Sequence, residues 1–203
     1  MNNVVKGFIV ATVLSVGIAG SASAQESAAT PTIPTAADCI IEPIAFERLA
    51  SLSATPVADA PVVAEASPAA VGMPAGEPAD EVTTAAVQAV VTELIACINA
   101  GDTLRTLALY SDPFIYRGFG GLSITQEMYD AESTNLQPRA AGQEVALVEF
   151  GDAVVLEDGR VAILVRGDDF QTPGAASGTI FHLVEIDSQW LIDETAEMTD
   201  DAS

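Results

Sequence analysis

Basic residues are scarce in this chain: Lys and Arg together number seven against 29 Asp and Glu, a formal charge of -22 over 203 residues. So acidic a surface repels phosphate, which excludes nucleic acid and anionic membrane as partners. A positively charged partner, divalent cations or a salty medium stay open. The plainest role of the acids is to keep an Ala-rich protein soluble. Histidine occurs once and cysteine twice. A zinc site needs about four ligands, so no metal is expected, and nothing in the chain points to a cofactor. A recognisable catalytic motif is missing as well. Compartment and fold are therefore more legible than reaction.

Residues 1–24 read as a secretion signal. Lys6, the only lysine, precedes the apolar run 7–19, and Ala22-Ser23-Ala24 offers small residues where a signal peptidase reads them. The run is short for a bilayer span of about 20 residues, so no membrane anchor is expected after cleavage. With Lys6 gone, six Arg against 29 acids leave -23. Cys39 and Cys97 then enter a compartment where disulfides persist, and with two thiols the pairing is forced if they pair at all. A Cys39–Cys97 bridge is the expectation, free thiols the alternative.

The order along the chain follows from composition and period. Residues 25–38 are small, polar and proline-punctuated, an expected disordered stretch. The island 39–53 holds Pro43, suited to a first helical turn, and Phe46, Leu49 and Leu52 three apart. Two helical turns cannot stand alone in water, so the island must dock on something. Residues 54–80, rich in Ala and Pro, read as an extended linker. From Thr83-Thr84, either one a helix cap, Val87, Val90, Val91, Leu94, Ile95 and Ile98 form one apolar stripe. Gly101 suits the helix C-terminus, Asp102 the cap of a second helix over 103–110. Pro113 should end that helix and leave Phe114, Ile115 and Tyr116 extended. A short helix is expected over 125–135 with Met128 and Tyr129 inward. Beyond Glu144 the period becomes two, giving strands over 145–156 (bent at Gly151-Asp152), 161–168, 178–186 and 189–196, joined as a meander. An acidic tail, 198–203, closes the chain.

Helices followed by a curled antiparallel sheet make an α+β order. Three pieces carry a family resemblance: Cys97-Ile98-Asn99-Ala100-Gly101-Asp102 as helix, break and helix; Leu109-Tyr110-Ser111-Asp112-Pro113-Phe114 leading into a first strand; and the terminal hairpin from His182 through Trp190 to Asp193. On these, 82–197 resembles the NTF2-like superfamily, the cone fold of SnoaL-type proteins and ketosteroid isomerases. The resemblance implies N-terminal helices packed on a curved sheet with a pocket between them. It implies no reaction, since the scaffold hosts enzymes, binding modules and interaction domains.

Isomerase-like relatives would need a carboxylate base and oxyanion donors converging in the cone. The supply here is Tyr110, Asp112, Tyr116, Tyr129, His182 and Glu194. None aligns to a catalytic position of that family, so they stand as pocket candidates and no catalytic residue is carried over. Each also has a plain role. Asp112 suits turn amides before Pro113, His182 a hydrogen-bonded strand site in phase with Ile180 and Val184, and the tyrosines an amphipathic wall. Glu194 is in phase with Trp190 and Ile192, which would point it inward, with a solvated position at the strand end as the alternative. The leading expectation is a secreted, non-enzymatic module binding a small apolar ligand or a protein. The alternatives are a SnoaL- or isomerase-like enzyme and a structural domain that forms homodimers through its sheet face.

Overall fold

A computed structural model of the chain describes residues 32–54, 72–168 and 176–198. The readings of 1–24, of 25–31, of most of the linker and of the tail beyond Met198 lie outside the described residues. In chain order the elements are α1 (Phe46–Ala54), β1 (Glu77–Pro78), α2 (Glu81–Ala100), α3 (Thr103–Ala108), α4 (Asp112–Phe119), α5 (Gln126–Thr134), β2 (Leu147–Val155), β3 (Val161–Asp168), β4 (Ala176–Ile186) and β5 (Gln189–Glu197). The class is α+β, with one antiparallel sheet in the order β1-β2-β3-β4-β5.

The meander follows from its turns. Between β2 and β3, Leu156 donates to the Arg160 carbonyl at 2.8 Å, and Gly159 takes the left-handed φ of 85° that closes a three-residue loop. Between β4 and β5, Asp187 and Ser188 both have positive φ, 51° and 64°, the paired left-handed geometry of a two-residue hairpin turn. Gly151-Asp152 produces the expected irregularity: Phe150 pairs with Val165, but Ala153 is the next partner, with Ile163.

α2 runs along one face of the sheet. Its Val87, Val91, Leu94 and Ile95 are buried with Val161, Ile163 and Val165 of β3, Phe181 and Leu183 of β4, and Ile192 of β5. By length and composition α2 could cross a membrane, but here its stripe is spent on this core. A second cluster joins Ile44 and Leu49 to Leu104, Leu107, Ala108 and Ile115, so α1 packs on α3 and α4 and not on the sheet.

Several local expectations are corrected. Residues 32–38 are held rather than loose: Thr32 bridges Leu147, and 36–38 form a 3-10 turn. α1 begins at Phe46, a turn after Pro43. The end of the proposed linker is a strand, Glu77 and Pro78 pairing with Val155 and Val154; Pro is tolerated because β1 is an edge. Asp80, not a threonine, caps α2 by accepting from the Thr83 amide at 2.7 Å. Residues 114–116 are helical, because Ser111 caps α4 through the Phe114 amide and Pro113 sits in its first turn, where no N–H is missed. Met128, expected inward, is 53% exposed.

Candidate functional site

Three of the six candidate residues hold the N-terminal island in place. Cys39 and Cys97 are bridged, with Cα atoms 4.8 Å apart and both residues buried. One turn before Cys97, the Glu93 carboxylate accepts from the amides of Ile40 at 3.0 Å and Ile41 at 2.6 Å. Arg105 donates to the Cys39 carbonyl at 2.8 Å, and the Ile44 amide to the Leu104 carbonyl at 3.1 Å. Tyr129 then donates its hydroxyl to the Ile44 carbonyl at 2.7 Å and meets Phe46 edge-on. Arg48 pairs with Asp112 at 2.7 Å and donates to the Tyr110 carbonyl. Tyr110 itself stacks on Phe114, with ring centroids 4.2 Å apart, and burial pushes its phenol up to about 12. Tyr116 lies half-buried on the same helix, its ring edge near Gly120.

His182 and Glu194 lie elsewhere. His182 alternates with Phe181 and Leu183, which face α2, so it projects from the other face of the sheet. Opposite it β5 carries a bulge: Leu183 pairs with Ile192, but His182 pairs with Glu194, leaving Asp193 as the extra residue. The bulge reverses the phase, which is why Glu194 is exposed beside His182 instead of lying inward with Ile192.

Asp193 becomes a hub. It accepts from the Ser111 hydroxyl at 2.6 Å and from Arg160 at 3.3 Å, while its carbonyl takes a bond from Arg117. Arg160 also reaches Glu194 at 3.1 Å and Asp158 at 2.8 Å. Burial works against the Arg160 charge, but these carboxylates outweigh it and raise its pKa further. His182 Nδ1 is buried without a hydrogen-bond partner, and desolvation holds the imidazole below its usual value despite the nearby acids.

The structure thus brings Tyr110 and Asp112 together at the start of α4, joins His182 to Glu194 on the sheet, and leaves Tyr129 against α1. The space between α2 and the sheet is filled; a cavity lined by Ile95, Val145, Val165 and Thr179 measures about 10 Å³, room for a single water. The apolar opening lies among the helices instead. A groove of about 210 Å³ is lined by Leu49 of α1, Leu104 and Leu107 of α3, Phe119 at the end of α4, Ile124, and Met128 of α5. Of the sequence candidates, only Tyr129 borders it. The spacing of Leu104 and Leu107 is a visible signal for one wall. Nothing in the pattern points to Phe119 and Ile124, in the Gly-rich stretch, or to Ser111, Arg160 and Asp193, which the bulge assembles.

Comparison with protein-family models, with curated proteins and with solved structures finds no match to this chain.

Proposed function

We propose that the chain is an exported module of NTF2-like fold that binds an apolar ligand or apolar side chains and catalyses no reaction. The observation that carries this is the helical groove, open to solvent and walled by Leu49, Leu104, Leu107, Phe119, Ile124 and Met128. Solvent-open apolar concavity is the usual mark of a binding site. The distribution of acid–base groups supports the same reading, because Asp112 and His182 serve different elements and neither lines the groove. Export draws on the N-terminal signal pattern, with which the Cys39–Cys97 bridge is compatible. The helix-then-meander order supports the family reading, as does a parallel bridge from Tyr110 to Ile192, where the chain leaves α3 for the sheet edge.

A neutral solvatochromic dye tests the groove. Its emission should rise on adding the purified chain, and Ile124→Asp should weaken that binding about tenfold. Unchanged emission with the parent protein would overturn the reading. A second reading, acid–base chemistry, rests on the unpartnered, buried Nδ1 of His182 and on Glu194, its register partner on β5. Turnover of enolisable ketones that disappears in His182→Gln or Glu194→Gln would favour it.

A further inference from the structure

The groove has one charged sign around it. Among the described residues, Glu132 is the only charged one lining it. The same helix, α5, exposes Glu127 and Asp130, and no Lys or Arg occurs from 118 to 138. The arginines on the neighbouring helices are already engaged: Arg48 with Asp112 and the Tyr110 carbonyl, Arg105 with the Cys39 carbonyl, and Arg117 with the Asp193 carbonyl. Beside these acids the surface is apolar and adaptable, with Met128 at 53% and Leu122 at 49% exposure. Unbranched Met side chains repack readily around varied partners.

We infer that this groove docks a basic amphipathic helix of a partner protein, its apolar side chains entering between α1, α3 and α5 and a Lys or Arg meeting Glu132. The inference rests on the groove being a binding site, as proposed above. Three considerations select this occupant. First, about 210 Å³ is below the size range of drug-like pockets, so side chains fit better than a whole organic molecule. Second, the lining comes mainly from helices α1, α3 and α5 and contains no strand, so a partner cannot add itself as a strand and must be read through side chains. Third, the adjoining part of the same cleft already holds an amphipathic helix, α1, whose Leu49 packs with Leu104, Leu107 and Ile115. Charge excludes the mirror-image partner: an acidic helix would set like charges against α5.

The test uses the full disulfide-bonded chain and a fluorescent synthetic helix of Leu and Lys, read by anisotropy at physiological ionic strength. A Leu/Glu helix with the same apolar positions is the comparison. The Lys peptide should bind and displace the neutral dye, and the Glu peptide should do neither. Met128→Arg and Glu132→Arg, both at exposed sites, should each weaken the Lys peptide about tenfold. Glu185→Arg, an equal charge change at an exposed site on β4, should leave it within about twofold. Equal weakening by Glu185→Arg would overturn the inference, since attraction would then belong to the whole acidic surface. Equal binding of the Glu peptide would overturn it too. If the dye binds but the Lys peptide does not, the inference falls while the groove stands. If the dye fails with the parent protein, both fall.

Discussion

His182 and Asn99 are the two polar side chains on which most depends, and they are opposites. Asn99 is buried and fully used: its amide donates to the carbonyls of Pro34 and Val145, each at 3.0 Å, and its oxygen accepts from the Val145 amide at 2.8 Å. One side chain thus ties the N-terminal segment and the chain entering β2 to the last turn of α2. Asn99→Ala leaves three buried backbone groups unpaired, so a loss of about 3 kcal/mol is expected in chemical unfolding. His182 has the reverse problem, a buried nitrogen with no partner. Its folded pKa lies below the ordinary 6.5, first through desolvation and then through Arg160. A depressed pKa means the unfolded chain takes the proton first. The neutral imidazole therefore adds stability above about pH 6.5 that is lost as pH falls from there. His182→Gln should reduce the drop in melting midpoint between about pH 7.5 and about pH 5.5; an identical drop in both proteins would disprove it. Tyr110 acts at the other end. With its phenol raised to about 12, stability is retained below the ordinary 10.0 and lost as pH rises from there through the folded value.

At the scale of elements, α2 and the island 39–53 explain one another. α2 is bounded by Asp80 at its start and by Gly101, with φ of 65°, at its end. A Cβ on Gly101 would also collide with the Gln137 carbonyl, so Gly101→Ala should destabilise strongly. α1 is two turns of helix and would not persist alone. The Cys39–Cys97 bridge, closing 58 residues of chain, lets it stay. In the chain-entropy picture such a closure is worth about 4 kcal/mol. Cys39→Ser with Cys97→Ser should lower stability by about that amount and increase hydrogen exchange in α1 more than in β3. Uniform loss across both elements would mean that the bridge does not act locally. Asp80→Ala should cost about 1 kcal/mol, measurable by denaturant titration.

At the scale of the whole molecule, repulsion among its own acids is the main electrostatic force. A charge of -22 with few cations to offset it disfavours the compact state. Salt screens such repulsion over about 10 Å at 0.1 M. The melting midpoint should therefore rise on going from low to high sodium chloride, and a midpoint that stays flat or falls would contradict this. The Lys-peptide interaction proposed for the groove should move the other way and weaken with salt. These opposite responses separate the two electrostatic effects in one protein.

Periodicity makes the long helix, its glycine stop and the four-strand meander legible, because each is written in residues close together along the chain. The α2 stripe, the Gly151-Asp152 irregularity and the Asp158-Gly159 turn are of this kind. Composition alone determines the acidic surface, and two cysteines permit one bridge. Folding decides what depends on distant residues meeting. Counting in twos puts Glu194 on the inner face, and a single extra residue, Asp193, turns it to the other. Local pattern reads residues 114–116 as extended, but Ser111 and Pro113 start a helix there, anchored through Asp193 some eighty residues on. The resemblance places an apolar opening between helices and sheet; packing fills that space and leaves the groove among α1, α3 and α5. The scarcity of basic residues also acquires a location only in three dimensions: Glu132 borders the groove, and the arginines on the helices around it are held by other groups.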